Sequence, residues 1–165
     1  RMIELAKGDM ETGIKYSTVN LSKLIMDRIL PYEAVFFEND LNLEYKIEEQ
    51  ITVNGDPVQL RQILDILLDN ALKYSGVPGK TDVLLKKQNK KFCILTVSNT
   101  GERLTDEQLK LVFQRFYRTD CAHTKKGSFG LGLAIAQNIA VNHRGKIWAE
   151  SDEGINSFCV RLPMA

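Results

Sequence analysis

The sequence predicts an α+β fold, a two-layer α/β sandwich in which a mixed sheet of about five strands is covered on one face by about three helices. Segments with helical spacing of apolar residues are interspersed with short runs in which apolar and polar residues alternate. A length of 165 residues, of which 44% are hydrophobic, suits one packed core. A glycine-rich loop at residues 127–132 runs directly into an apolar helix.

Composition excludes several functional classes. The formal net charge of +1 gives no reason to propose a nucleic-acid or membrane surface, because binding a polyanion needs a clustered basic excess. Cys93, Cys121 and Cys159 lack metal-ligand spacing, and two of them lie in strand-like runs, which favours a reducing, cytosolic setting. No apolar run is long enough to cross a bilayer. The chain begins at Arg1 as an excised fragment would, so a membrane anchor elsewhere in a parent protein stays open.

The first complete helix is predicted to begin after Asn20, a suitable N-cap at the end of a short extended run from Tyr16. Apolar residues recur from Leu21 at helical spacing, and Pro31 falls inside this pattern. We expect a kink or a break at Pro31, because proline lacks the amide hydrogen that an α-helix uses. The next segment, Leu41–Ile47, alternates throughout and predicts a strand with one solvent-exposed face.

The strongest helix signal runs from Asp56 to Tyr74. Asp56 is a suitable N-cap, and Pro57 fits the first helical position. Gln59 completes a capping-box pattern, and Gly76 follows the end of the helix. One flank is apolar and the other polar. The apolar flank contains Leu60, Ile63, Leu64, Leu67, Ala71 and Tyr74, and the polar flank contains Arg61, Gln62, Asp65, Asp69 and Lys73.

Asn70 lies on the border between these flanks, with Lys73 near it on the next turn. An amide oxygen and an ammonium group that face the same space could hold a metal ion and a phosphate. The alternative is a pair of solvated polar residues at a helix edge. Ile66 is unexpected, because it projects from the polar side near Asn70. We interpret Asp65 and Asp69 as solvated residues and not as metal ligands.

A hairpin and a binding loop are predicted next. Residues 83–85 and 92–97 form the two strands, and the second ends in Ser98-Asn99-Thr100-Gly101, where a binding loop would begin. Thr105 to Gln108 is a capping box that opens a short helix. The apolar residues of this helix are Leu109, Val112, Phe113 and Phe116, and the cations near the glycine-rich loop are Arg115, Arg118, Lys125 and Lys126.

The glycine-rich loop leads into a helix from Leu131 to near Gly145. Free N–H groups at the positive end of a helix dipole, with glycines that let an anion approach, favour phosphate binding; the alternative is a loop that only turns the chain. A Gly-Lys-Ser/Thr ending is missing, and Ile135 replaces the third glycine of the dinucleotide fingerprint. Alternating runs from Ile147 and from Phe158 predict the last two strands.

The motifs together resemble those of sensor histidine kinases. Asn70-Ala71-Leu72-Lys73-Tyr74 resembles their N box and Ser98-Asn99-Thr100-Gly101 their first glycine box. Residues 113–118 resemble their F box, and residues 127–133 their second glycine box. Residues 16–165 are similar to the catalytic, ATP-binding domain of these kinases. Gyrase, mismatch-repair and chaperone ATPases share the Bergerat-type fold of that domain. Residues 1–15 would then be the end of a dimerisation-domain helix and a linker.

The resemblance implies roles for individual residues. Asn70 would coordinate Mg²⁺ through its amide oxygen, since Mg²⁺ prefers oxygen ligands. Lys73 would contact phosphate, and Tyr74 would line the nucleotide pocket. Asn99 would meet the edge of the adenine. The residues beside the base would be Gly101 and Leu104.

The resemblance also implies a mobile lid, about residues 100–129, that orders over ATP. In this lid Phe116 would pack, and Arg115 or Arg118 would neutralise phosphate charge. The residues around the triphosphate would be Gly127, Gly130, Leu131 and Gly132.

Two positions depart from the family pattern. Ile66 replaces the first asparagine of the N box and can neither ligate a metal nor act as a base, which argues against gyrase-type hydrolysis. Asn99 replaces the usual aspartate of the first glycine box. Its amide oxygen can still accept from the adenine amino group, but that bond is no longer charge-assisted and would be roughly half as strong.

The function that the resemblance implies is Mg-ATP binding and transfer of the γ-phosphate to a histidine on a dimerisation domain outside this chain. No catalytic residue is assigned within the chain, because His123 and His143 lack the neighbours of the acceptor motif. A response regulator would be the next partner. The parent protein would be a membrane-anchored homodimer with this domain in the cytoplasm. Two alternatives stay open: a non-catalytic signalling module that binds nucleotide weakly or not at all, and an anti-sigma-type serine kinase.

Overall fold

The protein, seen in a computed structural model that describes residues 16–76, 78–117 and 131–165, is built from two sheets and four helices over that part of the chain. The strands are β1 (Ser17–Asn20), β2 (Leu41–Ile47), β3 (Thr52–Gly55), β4 (Gly79–Lys87), β5 (Phe92–Thr100), β6 (Lys146–Asp152) and β7 (Ile155–Pro163). The helices are α1 (Leu21–Glu38), α2 (Pro57–Tyr74), α3 (Asp106–Leu111) and α4 (Gly132–Asn142). The predicted α+β class is confirmed.

The main sheet has five strands in the order β2-β4-β5-β7-β6. β2 pairs with β4 in parallel, and the other neighbours are antiparallel, so the sheet is mixed as predicted. Alternate residues of β5, Cys93, Leu95 and Val97, are buried in one core with α1, α2 and α4. α3 contributes no buried residue. Three helices therefore pack against one face of the sheet.

The two-stranded sheet of β1 and β3 was not predicted as a sheet. β1 and β3 are antiparallel, with Asn20 opposite Thr52. The C-terminus secures β3 to the main sheet, because Met164 forms a bridge with Val53 and the Ala165 N–H donates to the Thr52 carbonyl at 2.8 Å. β3 has only four residues, and its pairing partners are distant in sequence, so the local pattern gave no signal for it.

α1 begins as predicted but does not break at Pro31. The Asn20 side chain caps the helix by accepting from the Lys23 N–H at 3.0 Å. The helix then continues through Pro31 to Glu38. Buried apolar residues on both sides of the proline secure the helix to the core, and this packing outweighs the lost backbone hydrogen bond. These residues are Ile25, Ile29 and Phe36.

α2 has the predicted N-cap without the predicted capping box. Asp56 accepts from the Val58 N–H at 3.0 Å, one residue earlier than the box requires. Gln59 Oε1 is buried and has no hydrogen-bond partner among the described residues. Asp65, interpreted as solvated, is instead half buried in an ion pair with Arg28.

α3 is shorter than the sequence suggested. Its capping box is confirmed, since Thr105 and Gln108 bond reciprocally through their side chains and backbone amides. The helix ends at Leu111, however, and Phe113 packs edge-on against Phe158 with ring centroids 6.3 Å apart. Phe116 has a φ of 66°, in the left-handed region, which excludes it from an α-helix. The prediction that Phe116 belongs to this helix is therefore wrong.

Candidate functional site

The predicted site residues of the N box lie along α2. Asn70, Lys73 and Tyr74 are all half buried, on the border between the buried and exposed flanks of the helix. The rotation of α2 about its axis is fixed by its fully buried flank, so these border residues are held in place by the core. The buried residues are Leu60, Ile63, Leu64, Leu67, Leu68 and Ala71.

The start of α4 lies against the middle of α2. A Cβ placed on Gly132, the first residue of α4, would lie 3.3 Å from Ile66 Cγ2. This contact explains the apolar residue at position 66, which closes the space between the two helices. Asn70 lies one turn further along the same side of α2. The Leu131 side chain makes no capping hydrogen bond to the first turn of α4. The backbone N–H groups of that turn therefore suit an anion near Asn70.

The end of α2 lies against the end of β5. A Cβ placed on Gly101 would lie 3.0 Å from the Tyr74 carbonyl oxygen and 3.2 Å from Asn99 Nδ2. The Gly76 N–H donates to the Thr100 carbonyl at 3.3 Å. The structure thus brings Tyr74, Asn99 and Gly101 together, and glycine at position 101 allows the close approach of the three.

Asn99 is a buried polar residue, only 2% exposed. Its Nδ2 donates to the Thr100 carbonyl at 3.0 Å, which leaves Oδ1 as the acceptor of the side chain. Asn99 is paired with Thr81 of β4, which is also buried. The Oγ1 atom of Thr81 lies 3.5 Å from Ser75 Oγ. An acceptor in this environment can receive a hydrogen bond from an exocyclic amino group such as that of adenine.

One element therefore borders both ends of the expected nucleotide site. Ile66 and Tyr74 are eight positions apart in α2, about 12 Å along its axis at the rise of an α-helix. The first residue lies close to the start of α4, and the second lies close to the end of β5. Both ends of the expected site therefore lie along α2.

The predicted lid is described only in its first part. Leu104 is half buried, whereas Arg115 and Phe116 are exposed, Phe116 by 69%. The roles expected of Arg118, Gly127 and Gly130 fall on residues 118–130, outside the described residues.

Asn70 is the metal ligand that the sequence suggested. Among residues 16–76, 78–117 and 131–165, no group of three or more His, Cys, Asp or Glu side chains could hold a metal ion. Mg²⁺ usually takes one or two protein oxygens and completes its shell with phosphate oxygens and water. A single amide oxygen near a helix start that suits an anion fits that requirement when a nucleotide supplies the remaining ligands.

Two residues near the site were missed by the sequence analysis. Ser151 and Asn156 contact the loop that follows β5 through hydrogen bonds. A signal existed, because alternation with Ile147 and with Phe158 places both polar side chains on the buried face of the sheet.

The geometry agrees with a comparison to known families. The family model of histidine kinase-, DNA gyrase B- and HSP90-like ATPases matches residues 55–165. The chain belongs to this ATPase family. Its α2, β5 and α4, with the residues that border the expected site, all lie within the matched segment.

The similar curated proteins are sensor kinases. The chain is 35% identical over 156 residues to the sensor protein DltS of Streptococcus agalactiae, covering 94% of this chain and 39% of DltS. It is 36% identical over 131 residues to the signal transduction histidine-protein kinase BaeS of Escherichia coli, covering 78% of this chain and 28% of BaeS. The chain thus spans less than half the length of these relatives.

Solved structures show the same architecture. The catalytic domain of the histidine kinase ThkA matches with a TM-score of 0.80 at 24% identity, over 90% of this chain and 95% of that domain. The mycobacterial sensor histidine kinase MprB matches with a TM-score of 0.79 at 25% identity, over 90% of this chain and 98% of that chain. The resemblance to sensor histidine kinases is confirmed, and the chain is an ATP-binding catalytic domain of this type.

The helices of the described residues do not include a membrane span. None of them combines the length and the apolar composition that crossing a bilayer requires.

Proposed function

We propose that this domain binds ATP with Mg²⁺ and transfers the γ-phosphate to a histidine on a dimerisation domain outside this chain. A response regulator would receive the phosphate from that histidine. ThkA, which shares the fold, has been solved in complex with the response regulator protein TrrA. The parent protein would be a membrane-anchored homodimer, with residues 1–15 leading from its dimerisation helix and this domain in the cytoplasm.

The observation that supports this proposal best is the position of α2 between the start of α4, at Gly132, and the end of β5, at Gly101. A Cβ on Gly132, at the start of α4, would meet Ile66, and a Cβ on Gly101, at the end of β5, would meet the Tyr74 carbonyl. A nucleoside triphosphate bound along α2 would meet phosphate-binding amides at one end and a buried acceptor at the other.

Each residue has a chemical task in this proposal. Asn70 would provide one oxygen ligand to Mg²⁺, which would supply positive charge to neutralise the phosphates. Lys73 and the first amides of α4 bind phosphate oxygens, and Asn99 Oδ1 accepts from the adenine amino group.

The remaining tasks belong to the lid and to the residues that surround the base. Arg115 and Arg118 approach the phosphates when the lid, residues 100–129, covers the nucleotide. The residues that shape the space around the base and the triphosphate are Tyr74, Gly101, Leu104, Phe116, Gly127, Gly130, Leu131 and Gly132.

Calorimetry with a non-hydrolysable ATP analogue tests the metal assignment. We expect wild-type binding to strengthen on addition of Mg²⁺ and Asn70→Ala to lose about tenfold in affinity only when Mg²⁺ is present, since the lost ligand acts through the ion. Gln62→Ala, which removes an exposed amide from the same helix, should bind like the wild type. An unchanged Mg²⁺ dependence in Asn70→Ala would remove the metal assignment. No heat for the wild type at high protein concentration would instead indicate a module that does not bind nucleotide.

A further inference from the structure

The inner face of the main sheet becomes polar in its last row. Asn99 of β5 is opposite Asn156 of β7, and Asn156 is opposite Ser151 of β6. Asn156 is 6% exposed and Ser151 is half buried. The adjacent row on the same face is Val83, Val97, Phe158 and Ala149. Buried polar side chains are normally present for a hydrogen bond, and Ser151 and Asn156 have no task in the proposed function so far.

Ser151 and Asn156 form a connected chain of hydrogen bonds to the loop at residues 101–105. Ser151 Oγ accepts from the Leu104 N–H at 3.0 Å and donates to Asn156 Oδ1 at 2.5 Å. Asn156 Nδ2 donates to the Glu102 carbonyl at 2.9 Å. The loop backbone is therefore held on both sides of Arg103 by two side chains that are also bonded to each other.

The turn between β6 and β7 adds a third attachment. The Gly154 carbonyl accepts from the Gly101 N–H at 3.0 Å. Gly154 has a φ of 81°, and open space surrounds its Cα, so this carbonyl is presented by a tight turn that favours glycine. The loop is thus attached to the β6–β7 hairpin at three of its residues, Gly101, Glu102 and Leu104.

We propose that Ser151 and Asn156 are positioning residues that preorganise the loop at residues 101–105 for nucleotide binding. The inference rests on the function proposed above, in which Gly101 and Leu104 lie beside the base. Both side chains act on backbone groups of the loop, and a loop already ordered before binding loses less conformational entropy when the nucleotide arrives. Their loss weakens nucleotide affinity and leaves phosphate transfer from the bound state unchanged.

Substitutions test the hydrogen bond of Ser151 to the Leu104 N–H separately from the hydrogen bond of Asn156 to the Glu102 carbonyl. Ser151→Ala removes both bonds of the hydroxyl, and Ser151→Thr restores the hydroxyl. Asn156→Asp keeps an acceptor for Ser151 but places an anionic oxygen opposite the Glu102 carbonyl. Ser157→Ala is the matched control, because Ser157 Oγ bonds with Ser98 Oγ at 2.8 Å on the opposite face of the same hairpin.

The first measurement is hydrogen exchange of the nucleotide-free protein, which needs no bound ligand. We expect the Leu104 amide to exchange about tenfold faster in Ser151→Ala than in the wild type, the effect of losing one hydrogen bond of typical strength. Ser151→Thr should restore slow exchange, and Ser157→Ala should leave it unchanged. Equal exchange of Leu104 in wild type and Ser151→Ala would overturn the proposed attachment.

The second measurement is the dissociation constant of an ATP analogue. Ser151→Ala and Asn156→Asp should each weaken binding about tenfold, while the transfer rate at saturating ATP stays at the wild-type value. Wild-type affinity in both variants would overturn the positioning role even if exchange of Leu104 were faster. Failure of the wild type itself to bind the analogue would refute the proposed function, and the positioning role with it. The exchange measurement would still show whether the loop is attached as described.

Discussion

His143 joins the end of α4 to the start of α2 through both nitrogens of its ring. Nε2 accepts from the Asp56 N–H at 3.1 Å, and Nδ1 lies 2.8 Å from the Ile139 carbonyl. The two partners select the tautomer with the proton on Nδ1, since an amide can only donate and a carbonyl can only accept. The ring packs on Gly55, where a Cβ would lie 2.6 Å from His143 Cδ2. Position 55 therefore tolerates no side chain without moving the histidine.

Gly55→Ala should lower the free energy of unfolding by about 1 to 3 kcal/mol, the usual cost of overpacking a filled site. The measurement is urea unfolding at neutral pH. Gly76→Ala is the matched control, because a Cβ at Gly76 meets nothing within 4 Å, and its effect should stay within about 0.5 kcal/mol. Equal stabilities of the two variants would contradict the packing described for His143.

At the scale of elements, polar side chains join α1 to α2 outside the apolar core. Arg28 Nε and Nη2 donate to the two carboxylate oxygens of Asp65 at 2.6 and 3.2 Å. One turn further along each helix, the Tyr32 hydroxyl donates to Asp69 at 2.9 Å. Burial of the ring, and then the bond to Asp69, raise the pKa of Tyr32 above its ordinary value. The alignment of the two helices therefore depends in part on a protonated tyrosine.

Tyr32→Phe should cost about 0.5 to 1.5 kcal/mol of stability at neutral pH, the usual net value of one hydrogen bond. The pKa of Tyr32 is higher in the folded protein than in the unfolded chain, so its contribution is complete below the unfolded value of 10.0 and is lost as the pH rises further. Urea unfolding at several pH values should show the difference between wild type and Tyr32→Phe shrinking above about pH 10. A constant difference over that range would contradict the assignment.

For the whole molecule, local patterns predicted most of the fold. The caps at Asn20 and Asp56 and the box at Thr105 depend on neighbouring residues, and all three caps were predicted from the sequence. Alternation in β7 places Asn156 on the buried face but does not indicate its contact with the Glu102 carbonyl. The pairing of β1 with β3 also joins segments that are distant in sequence. Tertiary packing likewise decides that α1 continues through a proline.

The same distinction applies within the site. Asn70 could be placed on the border of α2 from periodicity alone, with Lys73 near it on the next turn, because their helix has a continuous apolar flank. The reason for Ile66 could not be derived from its own helix, since its partner Gly132 begins α4. The fold therefore gives a reason for Ile66, which departs from the family motif and which the sequence alone did not explain.

The arrangement of the molecule predicts that the isolated domain does not phosphorylate itself. His143 is 6% exposed and both ring nitrogens have partners, so neither can attack a phosphate in line without breaking the junction of α2 and α4. Incubation with radiolabelled Mg-ATP should leave the domain unlabelled and should give acid-labile label on an added dimerisation domain of the parent protein. Acid-labile label on the domain alone would contradict this prediction, and its persistence in His123→Ala would place the label on His143. Acid-stable label would favour a serine kinase.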